Sequence, residues 1–144
     1  MNTTPNKSNW LRVTQNSTEL FGRSLLVALF LISGLGMITS YEATASYMVS
    51  KGVPGIALPV VIALEVLGGT SIIIGLKTRV VAALLAGFTF ASGVLADSNF
   101  ADQAQMIMFL KNVSIAGAFL MLAANGPGTI SLDAWLQRRN LFAT

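Results

Sequence analysis

Four long apolar runs constrain this chain more than any motif in it. Residues 20–38 (LFGRSLLVALFLISGLGMI), 56–74 (IALPVVIALEVLGGTSIII), 80–96 (VVAALLAGFTFASGVLA) and 106–124 (MIMFLKNVSIAGAFLMLAA) each contain at most one charged residue. At 1.5 Å of rise per residue, helices of this length cross a hydrocarbon layer of about 30 Å. None of the runs alternates at strand period, and lipid leaves no alternative to helices or closed barrels, because every backbone polar group must be satisfied within the protein. The expected fold is therefore all-α, an integral membrane four-helix bundle. Composition agrees: 53% of the 144 residues are hydrophobic and 10% charged, against about 25% charged in an average soluble domain.

The flanks divide the chain into a polar N-terminal tail (1–19), the four-span domain (20–124) and a C-terminal segment (125–144). The tail reads as mobile or surface-lying, with Trp10, Leu11 and Val13 able to touch the lipid interface. An A-x-A pattern at Ala43-Thr44-Ala45 resembles a signal cleavage site, but the preceding run is too long for a signal core and three more runs follow. The connector 39–55 places Tyr41 and Tyr47 near its edges, and its middle, 42–51, suits a short interfacial helix ended by Gly52. Pro54 and Pro59 punctuate the entry to the second span. Residues 75–79 (GLKTR) form a tight basic turn, Asp97 or Ser98 suits a helix cap, and Asn125-Gly126-Pro127-Gly128 stops the fourth span. Residues 129–140 read as a short amphipathic segment anchored by Trp135, with Arg138 and Arg139 toward headgroups.

Four spans put both termini on one side. That side carries Lys7, Arg12, Arg23, Lys77, Arg79, Arg138 and Arg139, whereas the opposite connectors carry only Lys51. The asymmetry predicts both termini in the cytoplasm. It also accounts for the net charge of +3 without a nucleic-acid partner. The expected partner is the lipid bilayer.

Two charges stand deep in the spans. Glu65 is at the middle of the second run, where an acidic side chain costs about 2.5 to 3.5 kcal/mol to insert and faces the bundle interior, a cavity or an opposite charge. Gly68, Gly69 and Ile72 follow it at i+3, i+4 and i+7, so the carboxylate shares a face with two glycines that admit another helix. Lys111 shares its face with Ser114, Ile115 and Ala118, and lies roughly 6 Å from the middle of the fourth run. A Glu65–Lys111 pair is allowed if spans two and four are neighbours. Asn112 and Ser114 complete this candidate polar site, and Arg23, one turn inside the first run, is expected to snorkel to the headgroups. Ser33 and Gly34 lie on the face of Arg23 and mark a close-packing spot. Ala83, Gly87 and Ala91 repeat every four residues, a further stripe suited to helix contact.

The chain has no Cys and no His. Thiolate and imidazole ligands for structural zinc, Fe–S clusters and haem are therefore absent from it, as is any disulfide. No metal site is expected.

Three stretches carry a resemblance: GVPGIALPVVIALEVLGG, then GLKTRVVAALLAGFT, then SNFADQAQMIMFLKNVSIAGAFLMLAANGPGTISLD. Over residues 21–133 the chain resembles the DoxX family of small bacterial inner-membrane proteins, in its YqjF-like branch. The most specific matches are Glu65 with its glycines, the 75–79 turn, and Lys111-Asn112 leading to Gly126-Pro127-Gly128. The resemblance implies a four-helix inner-membrane protein, in a family named for a subunit associated with a quinol oxidase and a thiosulfate:quinone oxidoreductase, with some relatives linked to oxidant defence. Arg23, Glu65, Lys111 and Asn112 match polar positions that recur in the family. Met37 stands where members often carry a Lys, and Asp97 where this branch often carries a His.

Three functional readings are open at this level. In the first, the chain is a subunit or accessory factor of a quinone-linked redox or oxidant-defence process, with no intrinsic cofactor, a bound quinone and a redox partner protein. In the second, it is a small proton-coupled transporter or channel-like homo-oligomer that uses Glu65. In the third, Glu65 and Lys111 are a structural lock in a non-catalytic scaffold.

Overall fold

The computed structural model describes residues 7–97 and 99–141, with side chains described from Thr14 to Arg139. The side chains of Trp10, Leu11 and Val13, expected at the interface, and the whole of Ser98, a candidate cap, thus lie outside what is described. Among the described residues six α-helices follow one another: α1 (Lys7–Thr39), α2 (Tyr41–Ser50), α3 (Leu58–Ile74), α4 (Thr78–Ala96), α5 (Gln103–Asn125) and α6 (Leu132–Leu141). Four are long and apolar enough to span a membrane, over Thr14–Thr39, Gly55–Ile74, Thr78–Ala96 and Gln103–Asn125. Large apolar side chains such as Leu25, Ile32, Leu67, Leu84 and Met121 point outward from them, where lipid satisfies them.

The first correction concerns the tail. Residues 7–19, expected as a polar tail, continue α1 without a break. Gln15 Nε2 donates to Glu19 one turn on, at 3.1 Å, and Thr129 Oγ1 donates to Asn16 Oδ1 at 2.5 Å from across the chain. Local side-chain bonds and a distant partner stabilise a polar helix that has no apolar period to announce it.

Between the spans, the expected punctuation is present. Helix α2 covers the middle of the first connector and ends before Gly52, whose φ is +78°. A 3-10 turn (Gly55–Ala57) leads into α3, with Pro59 in its first turn, where a missing N–H costs nothing. Asp97 follows α4 as its C-cap. Asp102 caps α5 by accepting from the Ala104 N–H at 2.9 Å. The turn between α3 and α4 is tight because Gly75 and Lys77 both adopt left-handed backbone, at φ +73° and +47°.

Close approaches set the packing. Glycine lets α1 meet α3: a Cβ on Gly34 would stand 2.7 Å from Val66 Cγ2, and one on Gly69 would stand 3.0 Å from Leu31 Cδ2. Gly68 takes Leu85 of α4 in the same way, and Gly93 of α4 takes Asn112 of α5. Helix α1 thus packs on α3, α3 on α4 and α4 on α5. The core is Val27, Phe30, Ile72, Ala82, Leu85, Ala86 and Phe119, drawn from all four spans. Phe30 and Phe119 meet edge to face, with centroids 5.2 Å apart, joining α1 to α5.

The second correction is the stripe on the third span. Ala83 and Gly87 face outward, nothing lies within 4 Å of a Cβ built on Gly87, and Ala91, also exposed, lines a cavity instead of meeting a helix. The inward face is Thr78, Ala82, Leu85, Ala86, Thr89 and Gly93. Small residues occur on both faces of α4, and seating Leu85 against Gly68 decides which face turns in.

Candidate functional site

Glu65 is 6% exposed in the middle of α3. Gly34 brings the α1 backbone against it, so that a Cβ there would stand 3.5 Å from Glu65 Oε2. Ser33, the residue before Gly34, lines the same cavity as the carboxyl. Oε2 itself is buried and has no hydrogen-bond partner. An isolated carboxylate at this depth is expensive unless something pairs with it. The unpaired oxygen is therefore one of the few unsettled polar atoms among the described residues.

The expected partner does not reach it. Lys111 is exposed, and among the described residues neither it nor Glu65 forms an ion pair. The physical reason is helix order: α3 packs on α1 and α4, whereas α5 packs on α4, so span four is not a close neighbour of span two. Similar depth placed the two charges at one level but not side by side. What they share is a cavity of about 420 Å³, with Glu65 at one place on its wall and Lys111, Asn112 and Lys51 at others. Its apolar walls include Leu29, Phe30, Phe88 and Ile115.

Two of the polar groups are held in place. Lys51 Nζ donates to the Ala96 carbonyl at 2.7 Å, where α4 ends, and stands 5.7 Å from the centre of the Tyr47 ring. Asn112 Nδ2 donates to Asp97 Oδ2 at 3.3 Å. Both contacts lie toward the end of the bundle away from the termini, so the polar rim and the Glu65 carboxyl occupy different depths of one apolar space.

Two predicted site residues fall outside it. Ser114 is exposed and donates to the Leu110 carbonyl of its own helix at 2.9 Å. Arg23, expected to snorkel, is instead 4% exposed at the termini end, where its Nη2 donates to the Ile130 carbonyl at 2.6 Å. Its Nε and Nη1 are buried with no hydrogen-bond partner. Arg23 thus fastens the C-terminal segment to α1, because the chain after Pro127 folds back over it and replaces the headgroups it would have reached.

Sequence reasoning overlooked Ser33, Lys51, Thr89 and Ser92 as cavity residues. In the sequence Ser33 signals only packing, and Lys51 only a charge that sets topology. A usable signal for Lys51 was its position as the single cation of the opposite connectors. Among the described residues no cluster of His, Cys, Asp or Glu suits a metal ion.

Comparison with known proteins gives the following. The DoxX family model matches residues 18–98. The chain is 46% identical over 120 residues to the inner membrane protein YqjF of Escherichia coli (strain K12), a match covering 83% of this chain and 92% of that protein. It is 40% identical over 121 residues to the inner membrane protein YphA of the same organism, covering 79% and 86%. No solved structure matches the chain.

Proposed function

We propose that this chain, which belongs to the DoxX family and is a multi-pass inner-membrane protein, binds a quinone in the cavity beside Glu65 and serves a quinone-linked redox process as a subunit or accessory factor. The observation that carries the reading is the unpartnered, buried Oε2 of Glu65 beside an apolar cavity of about 420 Å³ whose Lys51, Lys111 and Asn112 lie at a different depth. A quinone is a flat apolar ring with oxygens at opposite edges, and this distribution of apolar wall and separated polar groups suits that shape.

The chemistry assigned to the residues balances as follows. Oxidation of a quinol releases two protons and two electrons. Glu65, as the carboxylate, accepts the proton of the hydroxyl next to it. Lys111 or Asn112 hydrogen-bonds the oxygen at the other edge, whose proton leaves to water at the rim. The two electrons pass to a redox partner protein, because this chain carries no thiolate or imidazole ligand of its own. In the reverse direction Glu65 returns its proton to the reduced ring.

Binding of a short-chain ubiquinone and a menaquinone analogue to the detergent-solubilised chain tests the reading. Glu65→Gln keeps the shape of the side chain and removes the proton acceptor, and is expected to weaken quinol binding by roughly tenfold, the worth of one charge-assisted hydrogen bond. A wild-type chain that binds neither compound, or binding unchanged in Glu65→Gln, overturns it.

A further inference from the structure

The cavity beside Glu65 extends from the middle of the bundle toward one end. Its walls begin at mid-span, at Leu29, Glu65, Phe88 and Ile115, and the rest lie in the half away from the termini: Ser33 and Met37 late in α1, Tyr47 and Lys51 at α2, Ser92 late in α4 and Lys111 early in α5. A second cavity of about 530 Å³ opens at the termini end, between α1 and the last turns of α5, lined by Gln15, Leu26 and Met121 among others. The two share no residue. What separates them is a thin apolar layer. Along α1 the second cavity ends at Leu26 and the first begins at Leu29, and along α5 the corresponding limits are Ala118 and Ile115. Three residues of helix are about 4.5 Å. Val27 and Phe119, both fully buried, and Phe30, 5% exposed, fill that layer, with the two rings edge to face.

We infer that Glu65 exchanges protons with one side of the membrane only, the side at the bundle end away from the termini, and that the Phe30–Phe119 pair is the barrier closing it off from the other side. This rests on Glu65 being a proton-exchanging group, as proposed above, and not on which ligand occupies the cavity. The consequence for a quinone reaction is directional: protons taken up or released at Glu65 are drawn from or delivered to that one compartment. A carboxyl with a water-accessible path on one side and an apolar layer on the other cannot relay a proton through the protein unless the layer opens.

The absence of Cys from the sequence makes the test direct. Single cysteines are introduced by Ser33→Cys and Ser92→Cys on the cavity wall, by Ser50→Cys at the end away from the termini, and by Gln15→Cys in the second cavity. Each full-length variant is treated with a small, charged, membrane-impermeant methanethiosulfonate in sealed vesicles of either orientation. Ser33→Cys and Ser92→Cys are expected to react from the same face as Ser50→Cys and not from the face that modifies Gln15→Cys. Adding Phe119→Ala is expected to abolish that sidedness at Ser33→Cys while Ser50→Cys keeps its own; Phe30→Ala serves where the first variant does not reach the membrane. Modification of the wall cysteines from the Gln15 face with both rings intact overturns the inference and points to a through-path. So does a lack of modification from either face. Sidedness unchanged by loss of a ring removes the aromatic pair as the barrier. None of these outcomes involves quinone, so a chain that binds no quinone and one with two-sided access are told apart.

Discussion

At residue 34 a hydrogen in place of a methyl group decides how close α1 lies to the Glu65 carboxyl. A Cβ there would stand 2.7 Å from Val66 Cγ2 and 3.2 Å from Glu65 Cβ, both closer than unstrained contact. Gly34→Ala is therefore expected to destabilise the protein by about 1–3 kcal/mol, the usual cost of overpacking, and to push the backbone away from the carboxyl. Gly87→Ala meets nothing within 4 Å, and replacing glycine by a better helix former makes it neutral or stabilising by about 1 kcal/mol at most. Thermal unfolding of both variants in detergent checks the contrast; equal effects at the two positions would remove the close contact as the cause. The sequence makes the direction of Glu65 legible because Gly68 and Gly69 follow it at helical spacing, and all three are buried on one face. It does not make the partner legible. Depth along a span follows from counting residues, but which spans are neighbours depends on packing between elements, and that is why Lys111 faces the same cavity without pairing with Glu65.

At the scale of elements, α6 is a brace across the turn between α3 and α4. Asp133 accepts from the backbone N–H groups of Lys77, at 2.8 Å, and Thr78, at 3.0 Å, which satisfies the first donors of α4. Its own N–H donates to the Gly75 carbonyl at 2.9 Å. Asp133→Ala strips the cap from α4 and frees one end of α6, with an expected loss of about 0.5–2 kcal/mol. Limited proteolysis is expected to cut between residues 127 and 141 faster in this variant, whereas unchanged cutting would mean that the Arg23–Ile130, Thr129–Asn16 and backbone 133–75 bonds hold the segment without the carboxylate. The existence of α6 is legible from the break at Gly126-Pro127-Gly128 and the aromatic and basic residues after it. The brace is not, because it depends on one carboxylate meeting a turn more than fifty positions earlier. The same limit explains the misread stripe on α4. Small residues at four-residue spacing say that a face suits close contact, and the choice between Ala83-Gly87-Ala91 and the face holding Ala82, Ala86 and Gly93 belongs to Leu85 and its seat on Gly68.

At the scale of the whole molecule, orientation turns the one-sided cavity into a statement about compartments. The termini end carries Arg23, Lys77, Arg79, Arg138 and Arg139, and the sequence adds Lys7 and Arg12; Lys51 is the cation of the opposite connectors, and Lys111 lies within a span. Cations near span ends stay on the cytoplasmic side during insertion, so both termini are expected there and the rim at Lys51 faces the periplasm. A fluorescent protein that matures only in the cytoplasm, fused after Thr144, should be bright, and alkaline phosphatase at the same place should be inactive. The same phosphatase inserted at Gly52 should be active. The reverse pattern would invert the compartment that Glu65 serves and leave its one-sidedness intact, since the Phe30–Phe119 layer is a property of the fold and the sign of the membrane it faces is a property of the charges at its ends. Adding three lysines to the connector after α2 is expected to weaken or reverse the orientation. The lysine series thus tests whether charge, and not the shape of the bundle, sets the side of the membrane on which Glu65 exchanges its proton.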